Sequence, residues 1–318
     1  TIDYDFAHIF GLMNGVGRLD SPTEHLSWKE EGWANTISFP RVVTLQDGWP
    51  TTQPIRVARY TINDFRGKKR WMNVPEIFQY SSNIGTVHMA MEMGTERLRE
   101  YLDRFGLFSP APLELPERGR PMIPQPWREI NTMTVSYGHG IALTPLQVTR
   151  AFAALVNGGE LVQPTLIKRL AGEEGPRERV ISELTAERMR WLLRLVVLHG
   201  SGGNADVEGY LLGGKTGTAN KLSPSGGYQL DKRIASFAGA FPIDDPRYVV
   251  FLMVDEPKPT EKTYGFATAG WVVAPAMGRV VSRLGPLLGL PPRPKADEQE
   301  YDPLLIPARL RGPTIASR

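Results

Sequence analysis

The 318-residue sequence predicts an α+β domain with a mostly antiparallel sheet flanked by helices. Three observations lead there. Apolar residues recur at helical spacing through much of residues 75–199. The period then changes, and three strand-like segments follow one another between Tyr210 and Val254. A last apolar segment of helical length, Gly270 to Leu284, closes the pattern.

The elements follow in order. Residues 1 to about 40 mix apolar residues with turn signals, and S-P-T-E-H-L-S-W-K-E-E-G-W reads as a start signal with a short helix. Pro75 to Tyr80 forms a short helix with proline in its first turn. Ser81-Ser82-Asn83 interrupts it, because these side chains compete for backbone hydrogen bonds. A second helix runs from about Ile84 to Gly94. Leu98, Tyr101, Leu102 and Phe105 fall at i, i+3, i+4, i+7 on a third, which Gly106 stops. Phe108 to Trp127 is proline-rich and reads as an extended surface loop. Thr144-Pro145 opens a helix that carries Val148, Phe152 and Leu155 and ends at Asn157-Gly158-Gly159. Another runs from about Thr185 to His199 with Met189, Leu192, Leu193 and Val196 as its stripe, closed by H-G-S-G-G-N.

The strands come next. Tyr210 to Asn220 is the first. Arg233 to Phe241 alternates, with Ala235, Phe237, Gly239 and Phe241 on one side and Ile234, Ser236, Ala238 and Ala240 on the other. The second face consists mainly of small residues, which lets a helix pack close. Tyr248 to Val254 is continuously apolar, as a strand covered on both faces would be. After Leu290 the chain turns proline-rich and charged, a flexible tail. The expected organisation is an atypical segment over residues 1–50, a domain over 51–290 and the tail over 291–318.

Composition narrows the function. The hydrophobic fraction of 41% supports a sizeable core. Net charge is +3 with dispersed lysines and arginines, which gives nucleic-acid binding little support. The absence of cysteine excludes disulfides and thiol nucleophiles. His8, His25, His88, His139 and His199 show no paired ligand spacing, so neither a metal nor another cofactor is expected. No apolar run approaches the roughly 18 residues of a membrane span. The chain opens with Thr1 and shows no signal peptide, so an anchor outside this sequence fits.

Residues 211–220 read L-L-G-G-K-T-G-T-A-N. Glycine is disfavoured in strands, so Gly213, Gly214 and Gly217 around Lys215 are expected to let something approach the backbone. Two other signals precede it, S-S-N at 81–83 and Y-G-H-G at 137–140. With R-Y-T-I-N-D-F, V-P-E-I-F-Q-Y-S-S-N-I-G-T, T-V-S-Y-G-H-G-I-A-L-T-P-L-Q and G-F-A-T-A-G-W, the set resembles the penicillin-binding transpeptidases, in particular the division-type class B proteins, over about residues 54–290.

The resemblance implies the penicillin-binding transpeptidase / serine β-lactamase-like fold with an all-helical subdomain, and a site in one cleft. Ser81 would relay a proton toward the leaving group, Asn83 would bond the substrate amide, and Lys215 would attract the substrate carboxylate. Thr216, Gly217 and Thr218 would line the substrate-binding strand, with the Thr218 N–H as half of an oxyanion hole. Implied partners are peptidoglycan stem peptides, β-lactams and cell-division membrane proteins. The implied place is the periplasmic face of the cytoplasmic membrane.

One motif is missing: no serine has a lysine three residues on. The nearest case is Ser38-Phe-Pro-Arg41, where arginine cannot take a proton and Pro40 spoils the helix. The nucleophile is therefore unassigned, and a chain whose amino-terminal part has been lost or replaced is one explanation. Three functions stay open: a D,D-transpeptidase for septal cell-wall cross-linking, a non-catalytic peptide- or partner-binding protein, and a serine β-lactamase. Among plainer readings, Ser81 fits a helix cap, Asn83 a turn and His139 a structural role. Asp255-Glu256 fits a solvated turn, and Trp28, Trp33 and Trp49 fit packing.

Overall fold

Residues 2–3, 45–58, 60–170, 172–223 and 227–294 are described in the computed structural model. Short strands come first: β1 (Ile2–Asp3), β2 (Gly48–Pro50), β3 (Ile55–Val57), β4 (Tyr60–Ile62) and β5 (Trp71–Asn73). β2 pairs with β5 and β3 with β4, both antiparallel. Trp49 on β2 is buried, and its indole N–H donates to Glu92 at 2.7 Å, in line with the expected packing role.

Local chemistry starts α1 (Val74–Tyr80) firmly. The Asn73 side chain accepts from the Glu76 N–H at 2.9 Å, and the Glu76 carboxylate accepts from the Asn73 N–H at 3.1 Å. This reciprocal pair satisfies two N–H groups that a helix start leaves over. Arg70 also donates to Glu76 at 2.6 Å. Ser82 caps α2 (Asn83–Met93) by accepting from the Gly85 N–H at 3.0 Å. A Cβ at Gly85 would lie 2.6 Å from the Ile77 side chain, so only glycine lets α1 and α2 pack this closely.

α3 (Thr95–Arg104) follows, then the proline-rich loop as expected, and then α4 (Glu129–Ser136), which the sequence reading did not anticipate. After β6 (Ala142–Leu143), which pairs with β1, α5 (Pro145–Val156) begins as Thr144-Pro145 indicates. Thr144 and Gln147 cap each other there. β7 (Glu160–Val162) and β8 (Arg177–Arg179) form a hairpin that leads to α6 (Glu183–His199). β9 (Gly213–Leu222), β10 (Tyr228–Phe241), β11 (Tyr248–Asp255) and α7 (Ala269–Leu287) complete the described chain.

The three long strands form an antiparallel sheet in the order β11-β10-β9. Its alternation divides two cores, as the two-sided reading of β10 requires. Ile234, Ala238 and Ala240 face a large core shared with α1, α5 and α6. Ala235, Phe237 and Phe241 face a smaller core with Val273, Ala274, Met277 and Val281 of α7.

Three expectations change. The first strand starts at Gly213, not Tyr210, because Leu211 takes a positive φ of 41° and its carbonyl turns to accept from the Ile243 N–H. β11 is only half-buried along most of its length; although both its faces meet a core, it is an edge of the described sheet. Gly213 and Gly214 are small for internal reasons. A Cβ on the first would overlap Ile243, and one on the second would overlap the Phe237 ring and the Ala238 carbonyl. The Asp255-Glu256 pair lies at the sheet end, where Lys221 reaches both carboxylates at 2.9 and 3.0 Å. Residues 28, 33 and 38–41 and the tail beyond 294 lie outside the described residues. Among the described residues no helix is long and apolar enough to cross a membrane.

Three outcomes are expected. Gly214→Ala should lower the urea midpoint by an amount equivalent to ~1–3 kcal/mol, since neither the Phe237 ring nor a ladder carbonyl can yield without strain. Asn73→Ala should cost about 1 kcal/mol through the lost cap. Arg70 beside Glu76 holds that carboxyl below its ordinary value of 4.5. A carboxylate depressed in the folded state contributes stability above its unfolded pKa that is lost as pH falls. Glu76→Gln should therefore flatten the decline in melting temperature below about pH 4.5.

Candidate active site

α1 packs on α6, and near its end Gln79 donates to the His199 carbonyl at 2.6 Å. This contact fixes where the Ser81–Asn83 turn emerges. Ser81 closes α1 in the left-handed region, at φ 56° and ψ 50°. Few non-glycine residues adopt that conformation, which costs energy the surroundings must supply. Its N–H still bonds back to the Phe78 carbonyl, so the turn is satisfied while the side chain is directed away from the helix.

That side chain meets Lys215. The Lys215 Nζ donates to Ser81 Oγ at 2.6 Å and to the Thr216 carbonyl at 3.2 Å. Lys215 is 1% exposed, whereas Ser81 is half-buried and within reach of solvent. The register explains the direction of the lysine. Lys215 stands opposite Ala238, so it shares the face of the large core and points toward α1. Thr216 and Thr218 stand opposite Phe237 and Ala235 and point to the other face, and Gly217 stands opposite Ser236. Among the described residues no strand is hydrogen-bonded to the outer edge of β9.

The remaining expected groups already have protein partners. The Thr216 and Ser201 hydroxyls are 2.6 Å apart. The Thr218 hydroxyl accepts from the N–H of Ala269, the first residue of α7, at 3.0 Å. Asn83 is the first residue of α2, half-buried, and gives one amide N–H to the Asn63 carbonyl at 2.8 Å; a carboxamide has a second N–H to offer. Ser81 and Lys215 are thus in direct contact, Asn83 lies in the same turn as Ser81, and Thr216 and Thr218 lie beside the lysine on the strand.

Two supporting residues escaped the sequence reading. Asp64 accepts from the Ser82 hydroxyl at 2.7 Å and from the Ile84 N–H at 2.9 Å, so a carboxylate from a distant loop anchors the start of α2. Its only signal was its place in R-Y-T-I-N-D-F. Ser201 stood in H-G-S-G-G-N, legible as a helix stop and nothing more. The loop after β4 also touches the segment before α7: the Arg66 guanidinium sits 4.6 Å over the Phe266 ring, which stacks on Trp271 at 5.7 Å. The Y-G-H-G turn packs on the start of β10. The His139 ring lies 5.3 Å from that of Tyr228, whose hydroxyl accepts from the Gly140 N–H at 3.1 Å, in keeping with a structural role.

An ammonium group and a hydroxyl in contact at an unpaired strand edge can hold a carboxylate, pass a proton and lay out an extended peptide. Known proteins share the frame. The family described as the penicillin binding protein transpeptidase domain matches residues 33–278. A protein of Caulobacter vibrioides named "Probable peptidoglycan D,D-transpeptidase FtsI" is 40% identical over 257 residues, 78% of this chain and 44% of the relative. The chain therefore spans less than half the length of that relative. The apo transpeptidase domain of Burkholderia pseudomallei penicillin-binding protein 3 superposes with a TM-score of 0.74 at 29% identity, covering 91% of this chain and 80% of that one. Penicillin-binding protein 3 of Mycobacterium tuberculosis, complexed with aztreonam, gives 0.74 at 25% identity, covering 92% and 64%. The fold is thus the penicillin-binding α+β fold that the motifs indicated, and the chain belongs to the penicillin-binding protein transpeptidase domain family.

Proposed function

We propose that this chain forms the acyl-transfer site of a division-type peptidoglycan D,D-transpeptidase, acting on stem peptides at the outer face of the cytoplasmic membrane and open to β-lactams. The observation that carries the reading is the 2.6 Å contact between a buried lysine on a strand edge and a serine in a strained turn. The extended peptide adds to β9, with Gly217 leaving room on that strand and main-chain bonds setting its register. Lys215 draws the terminal carboxylate, with the Thr216 and Thr218 hydroxyls beside it. Asn83 offers its remaining amide N–H to the substrate backbone. Ser81 exchanges a proton with Lys215 and hands it to the leaving nitrogen. The Thr218 N–H would stabilise the developing oxyanion. The names of the relatives favour a transpeptidase over a β-lactamase. Cell-division membrane proteins are the partners this role would bring.

Aztreonam, or a stem peptide ending in two D-alanines, is expected to raise the melting temperature in a saturable way, by the equivalent of about 2.7 kcal/mol at a hundred times Kd. Lys215→Met should weaken both ligands at least about tenfold, since a hydrogen bond to a charged group contributes roughly 1.5–3 kcal/mol. No shift with either ligand at millimolar concentration would refute the reading.

A further inference from the structure

We propose that Arg194 is a positioning residue for this site: from α6 it fixes where β9 begins, and with it the distance between Lys215 and Ser81. The inference rests on the acyl-transfer reading above for the meaning of that contact, and it adds a residue that bonds to neither group.

Arg194 is among the largest fully buried side chains of the described residues. Its Nη1 donates to the Leu212 carbonyl at 2.8 Å and to Asp206 Oδ1 at 2.7 Å. Leu212 directly precedes β9, one residue beyond the last ladder pair, Gly213 opposite Ala240. A side chain of α6 thus takes hold of the backbone where the ladder stops. Asp206 follows the short turn at Gly203–Ala205 and is 41% exposed, so it balances the charge from a partly wet position. The pair is a poor stabilising device. A buried guanidinium loses much solvation, and its Nε has no hydrogen-bond partner among the described residues. An apolar residue of similar volume would fill the space as well. It could not grip a backbone oxygen.

The connections close into a ring. From Lys215 the strand runs back three residues, roughly 10 Å, to Leu212. Arg194 ties that carbonyl to α6. Five residues further along α6, about 7.5 Å along its axis, the His199 carbonyl accepts from Gln79. Two residues beyond Gln79 is Ser81, whose hydroxyl accepts from Lys215. One side-chain bond to a backbone carbonyl at each end of this stretch of α6 therefore brings amine and hydroxyl together. The ladder with β10 fixes the register of β9, but not how far the strand stands from α1. Core packing sets that distance loosely, and the Arg194 bond narrows it to the tolerance of a hydrogen bond.

The test follows the Lys215 amine itself by heteronuclear NMR of the whole, lysine-labelled chain, with Lys215→Met assigning its signal. The decisive variant combines Arg194→Met with Asp206→Asn, which removes both charges together and leaves no ion unpaired. Its Lys215 amine protons should exchange with water at least about tenfold faster than in the parent, and aztreonam should bind at least about tenfold more weakly. Two controls separate position from stability. Asp206→Asn alone keeps the Leu212 bond, and Leu102→Ala opens a cavity under α3. Both should melt earlier, yet leave amine exchange and affinity within about twofold of the parent. Arg194→Lys, which can still donate to the Leu212 carbonyl, should restore both readouts. An amine signal unmoved in the double variant, or moved as far by Leu102→Ala, would overturn the proposal. Should the double variant not fold, Arg194→Gln is read in the same way, and failure of both to fold would make Arg194 a structural residue only. If the amine responds as expected but the parent binds no aztreonam, the acyl-transfer reading falls and the positioning of the amine stands.

Discussion

A lysine amine with almost no surface in water must be solvated by protein atoms, and the placement of Lys215 follows from that requirement. An isolated buried ammonium costs several kcal/mol, so its hydrogen bonds have to be positioned well. One comes from its own strand, through the Thr216 carbonyl, and one from Ser81 at the end of α1. The second is possible only because Ser81 accepts a left-handed backbone and α1 is docked on α6 through Gln79. The cap at Asn73, the close approach at Gly85 and the Asp64 anchor all hold the segment that delivers this one oxygen.

β10 explains why the site lies where it does. Its two faces separate the cores, so its partner β9 carries alternate residues into alternate halves of the molecule. Lys215 turns toward the helical half, whereas Thr216 and Thr218 turn toward α7 and its flanking loops. A peptide lying along β9 would therefore meet groups from both halves, with register alone deciding which group each of its residues faces.

Much of the frame was legible in the sequence because it depends on local rules. Thr144-Pro145, Gly106 and the i, i+3, i+4, i+7 stripes marked helix limits to within a few residues, and the alternation in Arg233–Phe241 correctly divided the two cores. The failures have physical causes. α4 is eight residues long and rich in Thr, Asn and Val, all modest helix formers; burial of Thr132, Met133, Val135 and Ser136 holds it, assisted by a hydrogen bond from Trp127. β10 extends back to Tyr228, but an irregular register between Gln229 and Arg233 breaks the alternation that would have revealed it. The edge position of β11 is a matter of strand order, which composition does not encode. At the site the motif residues were visible, whereas Asp64 and Ser201 were not. Each acts across a long sequence separation on a group whose own motif gives no hint of needing support.

The Gln79–His199 contact has a consequence for how the protein would fail. It is one hydrogen bond joining the C-terminal ends of two helices, and the Ser81 turn lies immediately beyond it. Loss of registry between those helices would leave the strands paired and the spectrum of the fold little altered, yet it would part the hydroxyl from the amine. The Ser81–Lys215 contact should therefore be lost in a separate, earlier event than melting, so that a sample can look native by circular dichroism and already lack it.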